Sequence, residues 1–207
     1  MKGQEPTPVV HVVDDDDAVR AAIRMLLKTV GIQAAAYPTA DDFLAKFDPG
    51  QPGCALVDVR MPGMSGLELQ AELNKRGAIV PVVFITGHGD VPMAVEAMRQ
   101  GAFNFLQKPF RDDELLNSVR RALEKDHSDR AQLQHIDIIR RHFKSLTPRE
   151  REVLDLVTSG KANKVVAGDL GVSQRTVEIH RAHVMKKMGA ASLAQLVRMK
   201  LDLDRNA

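Results

Sequence analysis

The sequence has little cysteine and no long apolar run. Cys54 is its single cysteine, so neither a disulfide framework nor a cluster of cysteine metal ligands can form within the chain. No stretch of about 18 apolar residues is present, and no basic segment precedes an apolar one, so we expect neither a membrane span nor a secretion signal. These absences predict a protein of the reducing cytoplasm. With 207 residues, 44% of them hydrophobic, the chain suffices for one or two globular domains.

The net charge of +2 hides an uneven distribution of charged residues. Residues 1–128 carry 14 Lys and Arg against 18 Asp and Glu, residues 129–144 carry 4 against 2, and residues 145–207 carry 11 against 7. An acidic first part joined to a basic last part indicates two domains, the second of which can approach a polyanion.

Short apolar segments alternate with segments of helical periodicity in the acidic part. Most of the short segments are apolar at nearly every position, which is typical of parallel strands buried on both faces. The alternation predicts an α/β, doubly wound, five-stranded parallel domain. The predicted strands are residues 9–13, 33–36, 54–57, 79–85 (interrupted by Pro81) and 103–106.

Residues 127–144 keep a looser helical pattern, and two interpretations of them stay open. The apolar residues Leu133, Ile136, Ile139 and Phe143 favour a helical linker. The alternative is a solvated linker that carries a few apolar side chains.

The basic part has helical patterns only and predicts an all-α, four-helix domain over residues 145–207. Thr147-Pro148-Arg149-Glu150 is a capping box with proline at the first helical position. A short helix near 163–170, a turn at Gly171-Val172-Ser173 and a longer helix near 174–188 form a helix-turn-helix pattern.

Polar side chains follow the predicted strands at their carboxyl ends, where parallel sheets bind ligands. Asp14 and Asp15 follow the first strand, Asp58 the third, Thr86 the fourth and Lys108 the fifth. Carboxylates this close need a cation or raised pKa values, and Mg2+ with oxygen ligands meets that need. Asp58 would then accept a phosphoryl group whose oxygens are held by Mg2+, Thr86 and Lys108. Taken singly, each residue also has a plainer interpretation as a helix start, a turn cap or a loop lysine.

At these residues the chain resembles the two-component response regulators of the FixJ type. In that family a receiver domain of flavodoxin-like fold precedes a LuxR-type helix-turn-helix domain. The resemblance covers nearly the whole chain, and we place the receiver domain at residues 1–126, the helical linker at 127–144 and the DNA-binding domain at 145–207. It rests on His-Val-Val-Asp-Asp at 11–15, Asp-Val-Arg-Met-Pro-Gly-Met-Ser-Gly at 58–66, Thr-Gly-His-Gly-Asp-Val-Pro-Met-Ala-Val-Glu-Ala-Met at 86–98 and Lys-Pro-Phe at 108–110.

The resemblance assigns roles to individual residues of the predicted receiver domain. It makes Asp58 the phosphoacceptor and gives Mg2+ to Asp15, Asp58 and the Arg60 backbone carbonyl, with Asp14 acting through water. It also implies a cis peptide bond between Lys108 and Pro109.

In similar proteins a hydroxyl side chain and an aromatic side chain change position on phosphorylation and carry the conformational change away from the site. Thr86 and Phe105 match these positions, and the face that carries Ala94, Val95 and Met98 would dimerise after phosphorylation. Phe105 as an ordinary core aromatic is an equally open interpretation. Gly87 has no side chain that could shield the phosphoryl group. We further hypothesise that Arg60 and His88, which flank the site, set the lifetime of the phosphorylated state.

The helix near residues 174–188 is the predicted recognition helix. Glu178 and Ala182 stand where several LuxR-type proteins carry lysine, so no target sequence is carried over. Glu178 either accepts a hydrogen bond from cytosine or supports Arg181. An unrelated helical bundle with a charged face is the alternative interpretation. We expect the major groove to meet Arg175, Glu178, Ile179, Arg181 and Ala182, and DNA phosphates to meet Lys164, Lys186 and Lys187. Thr176 is a further predicted DNA-binding residue.

Together these features predict a cytoplasmic, phosphorylation-activated transcription regulator of bacteria, not an enzyme. Its expected partners are a cognate histidine kinase, promoter double-stranded DNA, a second copy of itself and RNA polymerase. A phosphotransferase of the haloacid dehalogenase kind is disfavoured, because Arg60 stands where that class needs a second acid. A constitutive DNA-binding protein with an inert receiver, controlled by a partner, is the remaining alternative.

Overall fold

The computed structural model describes residues 6–87 and 91–205, which form two compact units, residues up to Arg130 and residues from Ala131 onward. Strands and helices alternate in the first unit, and helices make up the second. The elements are β1 (Val9–Val13), α1 (Asp17–Thr29), β2 (Gln33–Tyr37), α2 (Ala40–Lys46), β3 (Gly53–Asp58), α3 (Gly66–Lys75), β4 (Val82–Thr86), α4 (Val91–Arg99), β5 (Asn104–Gln107), α5 (Asp112–Lys144), α6 (Pro148–Thr158), α7 (Asn163–Leu170), α8 (Gln174–Met188) and α9 (Leu193–Arg205).

The first unit is a five-stranded parallel sheet in the order β2-β1-β3-β4-β5. Helices α1 and α5 cover one face through Ile23, Leu27 and Leu115. Helices α2, α3 and α4 cover the other face, where Phe43 and Leu69 are fully buried. This arrangement confirms the predicted doubly wound α/β class, and β3 is buried at all six positions because both of its faces are covered.

The fourth strand differs from its prediction at its first residues. The apolar run from Ile79 predicted a strand over 79–85, but β4 begins at Val82. Pro81 has no N–H and takes part in the sheet only as an acceptor, since its carbonyl receives the Ala55 N–H at 2.9 Å.

Residues 127–144, the predicted linker, form the last part of α5, so the prediction that this segment is helical is confirmed. This segment also contributes to the core of the second unit, where Ile139 is 1% exposed and Phe143 packs against the same cluster. The His142 Nδ1 atom lies 3.1 Å from the Met188 carbonyl oxygen, at the end of α8. The position of the domain boundaries stays a prediction.

Local sequence signals set the helix ends of the second unit. Thr147 and Glu150 form the predicted capping box at α6, and Ser173 caps α8 by accepting the Thr176 N–H. Gly171 ends α7 with φ +64, a left-handed conformation that favours glycine. Within the part of the chain described above, no helix is long and apolar enough to cross a membrane.

Candidate functional site

Three carboxylates meet at the carboxyl edge of the sheet. Asp14 directly follows β1 and is fully buried, Asp58 ends β3 and is 8% exposed, and Asp15 is exposed. One carboxylate oxygen from each of the three lies within 4.8 Å of the others. The parallel strands β1 and β3 are direct neighbours, and this adjacency brings together residues that are more than 40 positions apart.

Lys108 bridges two of these carboxylates. Its Nζ donates to Asp14 Oδ2 at 2.7 Å and to Asp58 Oδ2 at 2.6 Å. Burial alone would lower the pKa of the Lys108 ammonium, but the hydrogen bonds and charges of the two carboxylates raise it above its ordinary value. The Lys108 N–H donates to the Thr86 carbonyl at 2.7 Å, and the Lys108–Pro109 peptide is cis, as the resemblance implied.

Backbone groups orient the other carboxylate oxygens. Asp14 Oδ1 accepts the Asp16 N–H and Asp58 Oδ1 accepts the Arg60 N–H, both at 2.9 Å. Burial raises the pKa of the Asp14 carboxyl, and the hydrogen bonds from Lys108 and the Asp16 N–H partly oppose this increase. Asp16 caps α1 by accepting the Ala18 and Val19 N–H groups with its side chain.

Gly66 places backbone directly beside the phosphoacceptor candidate. A Cβ atom at this position would lie 2.3 Å from the Asp58 carbonyl oxygen, closer than any side chain tolerates. The Gly66 N–H donates to the Val59 carbonyl at 3.0 Å, so the loop after β3 folds back tightly onto the strand end.

Arg20 also lies beside this site, although no motif of the sequence singles it out. Its guanidinium donates to the Asp14 backbone carbonyl and pairs with Asp17, while its side chain is only 11% exposed. The sequence does place Arg20 four residues after the N-cap Asp16, one helical turn along α1, and this spacing could have indicated its contact with the start of the helix.

The donor set fits a hard divalent cation. All three side chains offer carboxylate oxygens, the ligand type that Mg2+ prefers, and two of the three groups are held by backbone N–H donors. The structure therefore supports an acidic, Mg2+-type site at Asp14, Asp15 and Asp58.

The two proposed switch residues lie on neighbouring strands. Thr86 ends β4 and is 1% exposed, whereas Phe105 is half-buried in β5, pairs with Phe84 in register and packs against the α2, α3 and α4 side of the core. Gly87 is exposed with open space around its Cα. The Arg60 side chain is exposed, and His88 lies outside the described residues.

Most of the predicted DNA contacts lie on one exposed face of α8. Arg175, Glu178, Ile179, Ala182 and Lys186 are exposed, opposite the fully buried stripe of Val177, Val184 and Met188. Lys164 on α7 is also exposed, whereas Thr176 is half-buried beside the capping Ser173, whose Oγ lies 2.8 Å from Thr176 Oγ1. The Glu178 carboxylate accepts the Gln174 side-chain amide at 3.2 Å.

Two cations of α8 already have partners within the unit. Arg181 is half-buried and donates to the Asn163 side-chain oxygen at 3.0 Å. Lys187 donates to Glu150 Oε2 at 2.6 Å, which lowers the pKa of that buried carboxyl to about 2. Lys187 thereby links α8 to α6, and its role as a phosphate contact stays a prediction.

Comparison with known proteins assigns both halves of the chain. The family model for the response regulator receiver domain matches residues 10–120, and that for bacterial regulatory proteins of the luxR family matches residues 144–200. The transcriptional regulatory protein FixJ of Azorhizobium caulinodans is 50% identical over 192 residues, which are 93% of this chain and 91% of that protein.

Two solved structures are similar over nearly the full length. The response regulator StyR has a TM-score of 0.82 at 43% identity, covering 94% of this chain and 98% of that chain. Full-length FixJ from B. japonicum has a TM-score of 0.58 at 37% identity, covering 97% of this chain and 98% of that chain.

Proposed function

The chain belongs to the two-component response regulators that join a receiver domain to a LuxR-type DNA-binding domain; it is a transcription regulator, and we propose that phosphorylation of Asp58 controls it. The observation that carries this proposal is the Lys108 ammonium held between Asp14 and Asp58, at the edge where three carboxylates meet. A site so built suits phosphoryl transfer, which depends on positioning and neutralisation of charge.

In the proposed reaction a carboxylate oxygen of Asp58 attacks the phosphorus atom of a phosphohistidine on the cognate histidine kinase. A P–O bond to Asp58 forms, the P–N bond breaks, and its electron pair returns to the imidazole. The Lys108 ammonium and the Thr86 hydroxyl would then bind the phosphoryl oxygens. Thr86 ends β4, the neighbour of β3, and Lys108 directly follows β5, the next strand along, with its ammonium bonded to Asp58; this arrangement supports these roles.

Asp15, Asp58 and the Arg60 backbone carbonyl would bind Mg2+, with Asp14 acting through water. When bound, Mg2+ would neutralise negative charge on the transferring group. The backbone N–H groups of Asp16 and Arg60 keep the Asp14 and Asp58 carboxylates oriented for this purpose.

We propose that Thr86 and Phe105 transmit the change to a homodimer interface. Val95 and Met98 on α4 are 45% and 49% exposed, so this face offers apolar surface that a second copy can bury. The paired LuxR-type domains would bind a two-fold promoter site in the bacterial cytoplasm and recruit RNA polymerase. We place the receiver domain at residues 1–126, the linker at 127–144 and the DNA-binding domain at 145–207.

Phosphorylation and dimerisation are tested together on the full chain. Mass spectrometry and light scattering would follow the parent, Asp58→Asn and the matched control Asp41→Asn in Mg2+ and acetyl phosphate, since Asp41 is an exposed carboxylate on α2. We expect the parent and Asp41→Asn to gain one phosphoryl group and dimerise, and Asp58→Asn to do neither. A phosphorylated parent that stays monomeric would remove the dimer from the proposal, and an unphosphorylated parent would favour the inert-receiver alternative.

A further inference from the structure

Arg181 occupies a different face of α8 from the other predicted DNA contacts. With 3.6 residues per turn, Arg175, Glu178, Ile179, Ala182 and Lys186 fall within an arc of about 100°. Arg181 lies about 110° from the centre of that arc and only about 40° from the centre of the buried stripe. Its half-buried state agrees with this position at the border between α8 and its neighbours in the second unit.

The partner of Arg181 is neutral. Asn163 is the first residue of α7, and its Oδ1 atom accepts an Nη1–H of the guanidinium at 3.0 Å. The Asn163 side chain thus holds Arg181 and does not cap its own helix, whose N-cap residue Ala162 has no side-chain hydrogen bond. In the described ranges no carboxylate forms an ion pair with Arg181, so the hydrogen bond orients the guanidinium and leaves its charge uncancelled.

A guanidinium has five N–H donors, and the Asn163 contact uses one of them. The other four donors stay available to a further acceptor. Lys164, the residue that follows Asn163 in α7, is a second cation of this helix pair and is exposed. Because Arg181 lies off the recognition face of α8 and is bonded to α7, its guanidinium suits a DNA phosphate and not a base edge.

We propose that Asn163 is a positioning residue that holds Arg181 toward a phosphate of the DNA backbone, and that Arg181 therefore sets affinity but not sequence preference. This assignment replaces the expectation that Arg181 contacts the major-groove bases. It rests on the proposed DNA binding of the second domain.

The test compares full-length variants on a pool of random 30-base-pair duplexes, after acetyl phosphate and Mg2+ treatment. Selection from the pool reports sequence preference, and titration of the unselected pool at several salt concentrations reports the number of phosphate contacts. We expect Arg181→Gln to enrich the same sequence as the parent. The slope of its log affinity against log salt concentration should become less negative by about 0.9. Arg175→Gln, the matched control on the recognition face, should enrich a different sequence.

Two variants of Asn163 separate positioning from simple structural support. Asn163→Ala should weaken binding several-fold by releasing Arg181. Asn163→Asp keeps the acceptor but neutralises the guanidinium, so it should keep the thermal stability of the parent and still bind DNA more weakly. If Arg181→Gln changes the enriched sequence, or if Asn163→Asp binds as tightly as the parent, the inference is wrong. A parent that binds no duplex at all would instead refute the DNA-binding function on which it rests.

Discussion

Ile139 provides a direct test of whether the second half of α5 is part of the DNA-binding unit or a spacer before it. Its side chain is 1% exposed and packs in the core of the second unit, whereas the adjacent Ile138 is 42% exposed. Ile139→Ala removes three carbon atoms from a packed interior, which costs about 2–5 kcal/mol of unfolding free energy. Ile138→Ala, the matched control in the same helix, should change this free energy by less than about 0.5 kcal/mol.

Hydrogen–deuterium exchange of the full chain would measure the effect locally. Peptides that cover residues 174–188 report the opening of the second unit alone, because α8 lies in its core. Since 1.4 kcal/mol corresponds to a factor of ten, Ile139→Ala should accelerate exchange of the slowest amides by at least roughly 30-fold. Equal exchange in the two variants would refute the reasoning and make residues 131–144 a spacer.

Three further predictions concern buried polar groups. The Lys187 hydrogen bond lowers the pKa of Glu150 from 4.5 to about 2, so its contribution to stability is complete above pH 4.5 and is lost as pH falls toward 2. In Glu150→Gln, the unfolding free energy measured with urea should therefore depend less on pH across that window. Burial lowers the pKa of His11 below 6.5, so the first unit should lose stability as pH falls below 6.5, and His11→Leu should remove this dependence. Arg130→Ala removes the ion-pair partner of buried Asp126 and should cost about 3–5 kcal/mol of unfolding free energy. Removal of the exposed Lys125 side chain should cost less than about 1 kcal/mol of the same free energy.

Much of the first unit follows from local pattern. Strands buried on both faces are apolar along their length, so β1 and β3 are visible in the sequence, and the parallel arrangement follows from the helices between them. The same rule places Asp14, Asp58 and Lys108 at one edge, because parallel strands end on the same side. The error at the start of β4 arose where apolar character continued through Pro81, a residue that cannot donate to a ladder.

Partnerships between distant side chains were beyond the sequence. Nothing in the spacing of Lys187 and Glu150, or of Arg181 and Asn163, indicates that each pair shares a hydrogen bond. A cation that is exposed and a cation that is hydrogen-bonded within the unit are the same residue type in the sequence, and both can occur at the same helical spacing. The distinction matters for function, because a lysine whose charge is paired with a buried carboxylate attracts a DNA phosphate less strongly than an unpaired lysine does.

The sequence by itself determined the two-domain organisation, the sheet class, the helix-turn-helix and the residues that gather at the strand ends. These features depend on hydrophobic periodicity, capping residues and turn glycines, which act over a few positions. Only the tertiary structure decided that Lys108 bridges two carboxylates, that Ile139 of α5 belongs to the second core, and that Arg181 turns toward Asn163. Those outcomes depend on packing between elements far apart in the chain, where small differences in distance and burial determine which partner a charged group takes.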